Sequence, residues 1–376
     1  MLEAKFPSFI GLWEAICNWP ISLFYIHAEA WGTFALSVSF WTFINEITTI
    51  KQAERFYSFL GTFGTIGSIL AGFILKLDNV RTNFDQSLKF VIIAIVLILI
   101  IYNYFTADIK AHPAYYQIEE KPKKVKVKMS FVDSMKFLAR SKYLMLLSVL
   151  VISYGLVIAL FEAVEKAQVK KYLVMIGDDT ILASIYSNRE IAVGVISILV
   201  NLFFATPILK RGWRFAASVT PLIALVMTVL FFTFLRFGTV LDDCFASFHL
   251  NALYLSVQIG LYNVVLIKSV KYVLFDPTKE AIYIPLDEET KVRGKAAVDG
   301  VGARLGKSLA SVLISSMSTL FGGGDIANIR TPIVLIIIMV IIVWLVAVRA
   351  LGKLKVATEE KYEAEFLGVK KVPVSK

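Results

Sequence analysis

The sequence predicts an all-α integral membrane protein made of helical bundles. Of its 376 residues, 57% are hydrophobic and only 18% are charged, and the mean hydropathy is +0.70. Soluble globular domains carry more charge, about 25% of their residues. The second observation is a series of long runs that lack Asp, Glu, Lys and Arg, and the third is the concentration of positive residues between alternate runs.

Nine runs are long enough, alone or with their flanks, to cross the hydrocarbon core of a bilayer, which takes about 20 mostly apolar residues. They are Ala30–Asn45, Phe56–Leu75, Phe90–Asn103, Tyr143–Phe161, Ile191–Leu209, Phe215–Leu235, Cys244–Ile267, Ser308–Gly324 and Thr331–Val348. The first run extends back through Glu29 to about Pro20. The eighth extends back through Lys307 and Arg304 to about Ala296.

The positive charges predict how the spans are oriented. If the N-terminus lies outside, 27 of the 39 Lys and Arg residues fall in inside loops, nine fall outside and three lie within spans. Cytoplasmic loops of membrane proteins are enriched in Lys and Arg. We therefore expect an outside N-terminus and an inside C-terminus. Because membrane topology accounts for the net charge of +10, no nucleic-acid partner is expected.

The spans form two groups, separated by the basic stretch Lys121–Lys128, "KPKKVKVK". A charge run of this kind predicts a solvated cytoplasmic linker, and a lipid or partner site is the alternative. Six spans after the linker match one repeat of a pseudo-symmetric two-bundle protein, whereas only three precede it. We expect an interfacial N-terminal segment at 1–19, a partial first helical bundle of three spans at 20–106, a basic cytoplasmic linker at 107–140, a second helical bundle of six spans at 141–349 and a cytoplasmic tail at 350–376.

Neither a cofactor nor a metal site is predicted. The two cysteines, Cys17 and Cys244, and the three histidines show no ligand spacing. The polar stretch Phe275–Ser308 ends in "LGKS", but a phosphate-binding P-loop has four residues between its first glycine and the Gly-Lys-Ser. Gly302 leaves three residues and Gly300 leaves five. The sequence therefore does not predict an ATP-hydrolysing site.

Charged residues inside the spans are the candidate binding residues, because such charges are costly in lipid and face a cavity or a partner. Arg304 and Lys307 share one helix face and suit a polyphosphate, or else reach the cytoplasmic surface. Glu29 requires a partner, water or a proton, unless it lies at the outer interface. Glu162 is either functional or forms a local ion pair with Lys166, four residues further on.

Three parts of the chain carry specific motifs in order: "AEAWGTFALSVSFWTFINEITTIKQAERFYSFLG", then "MSFVDSMKFLARSKYLMLL" with "YGLVIALFEAVEKAQVKK", and finally "KYVLFDPTKEAIYIPLDEETKVRGKAAVDGVGARLGKS". They resemble the ATP/ADP translocases, the nucleotide transporters of obligate intracellular bacteria and plastids, over about residues 7–350. The resemblance implies a twelve-helix, major-facilitator-like transporter that is not an enzyme. Such a protein exchanges ATP for ADP by alternating access without hydrolysis, here in the inner membrane of an intracellular bacterium.

The resemblance also implies that Glu29, Glu162 and Lys307 bind substrate. The chain departs from the family in two respects. The first three helices of the family have no counterpart, and three outcomes are open: they come from an upstream reading frame, from a second chain, or not at all. Glu165 stands where the family usually has a Trp before Lys166. The alternative functions are a proton-coupled nucleotide importer and a truncated, non-transporting remnant or partner subunit.

Overall fold

The computed structural model of the chain describes residues 16–32, 39–40, 43–44, 50–77, 84–112, 131–241, 251–283, 286, 288–321 and 325–366. Throughout these residues the ordered elements are α-helices with short 3₁₀ and π segments, and none of the described residues forms a strand. The expectation of an all-α membrane protein is confirmed.

The helices are numbered in chain order. They are α1 Trp19–Trp31, α2 Ile50–Leu75, α3 Phe84–Ala111, α4 Phe131–Arg140, α5 Lys142–Ile176, α6 Ile181–Val200, α7 Thr206–Lys210, α8 Trp213–Phe237, α9 Ala252–Val270, α10 Asp276–Ala281, α11 Glu288–Ala297, α12 Ala303–Phe321 and α13 Arg330–Phe366. The π segment Asn201–Ala205 joins α6 to α7, and the π segment Lys271–Phe275 joins α9 to α10. A third π segment, Val298–Gly302, precedes α12.

Six helical stretches among the described residues are long and apolar enough to cross a membrane: Asp85–Ala111, Lys142–Ile176, Ile181–Lys210, Trp213–Phe237, Ala252–Ala281 and Ile326–Ala357. They match the third to seventh and the ninth predicted spans. The first predicted span lies partly outside the described residues, and the second contributes the shorter apolar helix Phe63–Leu75. The eighth is α12, which is less apolar because it carries Arg304, Lys307 and several serines.

The chain divides into two compact units. The first comprises Met1–Gly67 and Ile74–Lys126, and the second comprises Ser68–Phe73 and Val127–Lys376. In the first unit, most apolar side chains of α3 are exposed. Exposed apolar side chains along a spanning helix are what contact with lipid requires, because lipid tails are as apolar as the side chains themselves.

Helix α5 is the centre of the second unit, where it packs against α12, α13 and α9. Around one half of α5, a core forms that includes Leu144, Leu147 and Trp344. Around its other half, a second core includes Phe161 and Phe231, whose ring centroids are 4.8 Å apart. Helices in lipid are held together by van der Waals packing of this kind. The hydrophobic effect does not drive their association, because the lipid tails are as apolar as the side chains.

Glycine allows α12 to approach α5 closely. A Cβ atom on Gly306 would lie 2.5 Å from the carbonyl oxygen of Ile152 and 3.0 Å from the backbone nitrogen of Leu156. A Cβ atom on Gly302 would have its nearest neighbours at 3.9 Å, an ordinary contact distance. Small residues four positions apart predict close helix packing in membranes. Of Gly302 and Gly306, it is Gly306 that makes the backbone approach that requires glycine.

Polar contacts stabilise the stretch between α9 and α12, both within the stretch and between the stretch and α5. Lys279 Nζ lies 2.9 Å from Asp299 Oδ1, which connects α10 to the π segment before α12. The Tyr143 hydroxyl donates to the carbonyl oxygen of Ile282 over 2.7 Å. Burial raises the pKa of the neighbouring Tyr283 phenol well above its ordinary value, and the hydroxyl of Tyr283 has no hydrogen-bond partner within the described residues.

Candidate functional site

Helix α5 carries two carboxylates into the middle of the second unit. It begins at the N-cap Ser141, whose side chain accepts from the backbone N–H of Leu144, and it ends at Gly177, which has a φ of 72°. Its 35 residues span about 52 Å at a rise of 1.5 Å per residue, more than the thickness of the hydrocarbon core. Glu162 therefore lies about 30 Å from the start of α5, within a continuous helix rather than in a loop.

Glu162 forms an ion pair with a lysine of another helix. Its Oε1 lies 2.9 Å from Nζ of Lys268 on α9, and the two side chains are 21% and 22% exposed. The structure therefore favours this inter-helix pair over a local pair with Lys166. Both side chains of the pair are therefore partly exposed rather than sealed within the core of the second unit.

Glu165 lies one turn further along α5 and is fully buried. Its Oε2 lies 3.8 Å from Nη1 of Arg189 on α6, and neither carboxylate oxygen has a hydrogen-bond partner within the described residues. Arg189 also contacts its neighbour Glu190, with Nη2 at 3.2 Å from Oε1, and its guanidinium carbon lies 4.6 Å from the ring centroid of Tyr186. Arg189 thus lies between two carboxylates and an aromatic ring.

A second lysine follows Lys268 after three residues, in the π segment that continues α9. Lys271 Nζ lies 2.8 Å from Asp276 Oδ2 and 4.5 Å from the ring centroid of Tyr272. The same ammonium lies 5.9 Å from the ring centroid of Tyr154 on α5, and Tyr154 stacks on Phe275 with centroids 5.4 Å apart. π segments inside α-helices are frequent at functional sites. An ammonium group among aromatic rings can bind phosphate, and the rings can stack on a base.

The predicted phosphate-binding residues lie on the neighbouring helix α12. Arg304 and Lys307 are both exposed, while Gly306 between them faces α5. The ideal Cβ of Gly306 would also lie 3.1 Å from Cα of Gly155. Glu162 follows Gly155 by seven residues, so Lys307 and Glu162 lie on packed helices with an axial offset of about 10 Å. Glu29 is on α1, and its side chain lies outside the described residues.

Lys268 and Lys271 were assigned from the sequence to an inside loop, because the seventh predicted span ends at Ile267. In the structure α9 extends past Ile267 to Val270 and so includes Lys268, and Lys271 begins the π segment that follows. Each lysine contacts a carboxylate there, Glu162 for Lys268 and Asp276 for Lys271. The available signal was a matched spacing. Two carboxylates three residues apart on α5, and two lysines three residues apart in and after α9, each lie on one helix face. Of these four residues only Glu162 and Lys268 meet, since Glu165 contacts Arg189 and Lys271 contacts Asp276.

The chain is similar in sequence to several known carrier proteins. The chain is 34% identical over 385 residues to ADP,ATP carrier protein 1 of Chlamydia pneumoniae, with 98% of the chain and 74% of that protein covered. It is 33% identical to ADP,ATP carrier protein 1 of Rickettsia prowazekii, with 94% and 72% covered. It is 32% identical to the chloroplastic ADP,ATP carrier protein 1 of Arabidopsis thaliana, with 100% and 61% covered.

No solved structure matches the chain significantly. The family model described as TLC ATP/ADP transporter matches residues 1–354. This match covers five of the six apolar helical stretches and most of the sixth, the charged residues of α5, α6 and α9, and the lysine of α12. The chain is therefore a multi-pass integral membrane protein that belongs to the TLC ATP/ADP transporter family.

Proposed function

We propose that the chain exchanges ATP for ADP across a membrane by alternating access, without hydrolysing either nucleotide. The names of its relatives pair ADP with ATP, which favours exchange over a proton-coupled importer and over a non-transporting remnant. Exchange requires a binding site but no nucleophile or general base, so the protein is a carrier rather than an enzyme.

The observation that carries this proposal is the ion pair between Glu162 and Lys268. Both side chains come from membrane helices, and each is about one fifth exposed. A charge in a membrane helix is retained at a cost and marks a substrate or ion pathway. A phosphate group that reaches the pair would compete with the Glu162 carboxylate for the ammonium of Lys268. The site would then hold its cation in place when empty and offer it to each incoming nucleotide.

The remaining assignments extend this site to neighbouring helices. Lys307 and Arg304 on α12 would bind the phosphate chain as two cations on one helix face. Glu29 on α1 is a further proposed substrate-binding carboxylate, as the resemblance of its motif implies. Their support is the placement of charged residues in membrane helices, together with the family of the chain.

The proposed membrane is the inner membrane of an intracellular bacterium, supported by the relatives from Chlamydia and Rickettsia. The proposed domain boundaries are those of the sequence: two helical bundles at 20–106 and 141–349, with a cytoplasmic linker and a cytoplasmic tail. The excess of Lys and Arg in the predicted inside loops supports this arrangement.

Counterflow of labelled ATP tests the proposal. Cells that express the full chain are loaded with unlabelled ADP, and uptake of labelled ATP is measured alone and against a panel of other nucleotides. We expect saturable uptake that requires internal ADP. Uptake that is indifferent to internal nucleotide, or that depends on a proton gradient, would contradict exchange.

Substitution of Lys307 tests its assigned role. Lys307→Ala should abolish uptake, and Lys307→Arg should not restore it fully, because a flat guanidinium is not equivalent to an ammonium. Lys353→Ala is the matched control, since Lys353 is an exposed lysine on a different helix, α13. Normal uptake by a folded Lys307→Ala protein would remove Lys307 from the site.

A further inference from the structure

We propose that Lys166, Lys170 and Lys171 form an entry site for the polyphosphate group of the nucleotide, ahead of the Glu162–Lys268 pair. We call these three residues the α5 lysine cluster. The proposal rests on the proposed function and deepens it, because it names residues that capture substrate before the central ion pair does.

The cluster lines an open cleft on the surface of the second unit. The cleft has a volume of about 730 Å³, and Asp325 and Ile326, from the segment that leads into α13, also line it. Pockets for small ligands typically measure about 300–1,000 Å³, so a nucleotide fits by size. All three lysines are exposed, so their ammonium groups are accessible to a solute.

Most of the surface that lines this cleft is apolar, and the charged side chains along it are predominantly positive. Asp325 is the acidic residue in the lining, and its Oδ1 accepts a hydrogen bond from the backbone N–H of Ala327 over 2.8 Å. That bond engages the Asp325 carboxylate at the start of the 3₁₀ segment Ile326–Ile329. Three ammonium groups against one engaged carboxylate leave a site that suits a multiply charged anion.

Helix α5 connects the cluster directly to the central ion pair. Lys166 follows Glu162 by four residues, which is about 6 Å along the helix, and Lys170 follows by about 12 Å. Residues four apart lie on one face of a helix. A polyphosphate bound by the cluster therefore has a line of cations that leads towards Glu162 and Lys268.

The topology predicted from the sequence makes the position of the cluster unusual. Outside loops of membrane proteins are depleted in Lys and Arg, yet these three lysines are a third of the nine positive residues that the predicted topology puts outside. A positively charged cleft raises the local concentration of an anionic substrate and its association rate. Entry of a nucleotide is a function that accounts for this local excess of positive charge.

The test is the charge-reversal variant K170E/K171E, which leaves Lys166 beside Glu162 intact. We expect the KM for uptake of labelled ATP to rise about tenfold at low ionic strength, while the maximal rate stays within about twofold. The difference in KM should shrink at high ionic strength, because salt screens exposed charges beyond about 10 Å at 0.1 M. Lys142→Glu is the matched control, since Lys142 is an exposed lysine at the opposite end of α5, and its KM should be unchanged.

Two further measurements identify the anion. Inorganic tripolyphosphate should inhibit uptake by the wild type competitively, and it should inhibit K170E/K171E less. The full chain is also reconstituted in phosphatidylcholine vesicles with and without phosphatidylglycerol. An effect of K170E/K171E that appears only with phosphatidylglycerol would show that the lysines bind lipid headgroups, and it would overturn the proposal.

Rates are normalised to the amount of protein in the membrane. If K170E/K171E does not accumulate, K170Q/K171Q should give a rise in KM in the same direction and of smaller size. An unchanged KM at low ionic strength in a variant that reaches the membrane overturns the entry site and leaves the proposed exchange standing. Absence of uptake by the wild type instead overturns the exchange, and the entry site with it.

Discussion

The buried pair of Glu165 and Arg189 provides a quantitative test of the charged interior. Its closest oxygen and nitrogen are 3.8 Å apart, and the two side chains are 0% and 11% exposed. With an effective dielectric constant of about 20, two unit charges at this distance attract by about 4 kcal/mol. Removal of one partner from a buried pair usually costs about 3–5 kcal/mol, because the other charge is left uncompensated.

The two single substitutions should not be equally costly. Arg189→Leu leaves Glu165 buried with no hydrogen-bond partner among the described residues, and the free energy of unfolding should fall by about 3–5 kcal/mol. Glu165→Leu should cost less, because Arg189 keeps its contacts with Glu190 and Tyr186. The double substitution should be no worse than Arg189→Leu, and replacing such pairs by apolar residues is often neutral or stabilising.

Reversible unfolding of the full chain in mixed detergent micelles, followed by tryptophan fluorescence, measures the four free energies of this double-mutant cycle. Arg236→Leu is the control, because Arg236 is exposed on α8 and its guanidinium carbon lies 5.7 Å from the ring centroid of Phe237. This substitution should change the free energy of unfolding by less than about 0.5 kcal/mol. If Glu165→Leu fails to relieve any of the cost of Arg189→Leu, the two charges are not coupled and the reasoning is refuted.

Three further predictions concern packing, pH and topology. Gly306→Ala should lower the free energy of unfolding by about 1–3 kcal/mol or prevent accumulation of the protein, because the new Cβ would lie 2.5 Å from the α5 backbone. Gly302→Ala is the control in the same unfolding assay. It should be tolerated, because the nearest atoms to its Cβ would be 3.9 Å away. Tyr283→Phe should leave the free energy of unfolding at pH 7 unchanged. Because burial raises the pKa of Tyr283, the free energy of unfolding of the wild type should fall as the pH rises above about 10. The substitution should reduce that fall. Reporter fusions at Lys124 and Lys376 should both lie in the cytoplasm, and an external signal at Lys124 would overturn the predicted orientation.

Sequence alone determined the class of the protein and its helices. Hydropathy depends on local composition, so the apolar runs from Tyr143–Phe161 to Phe215–Leu235 predicted membrane helices that the structure contains. The motifs of the polar stretch Phe275–Ser308 identified the family, since such motifs are read in order along the chain. Glu162 and Lys307 were singled out because any charge within an apolar run is expensive in lipid.

Only the tertiary structure decided which charges meet. Helical periodicity predicts which residues share a face, but the partner of that face depends on the rotation and axial offset of a second helix far away in the sequence. Glu162 pairs with Lys268 rather than with Lys166, and Glu165 pairs with Arg189, because the packing of α5 against α9 and α6 sets those offsets. Helix α9 extends beyond the apolar run that ends at Ile267 for the same reason: a charge ends an apolar run in the sequence, but it does not end a helix when a neighbouring helix supplies its partner.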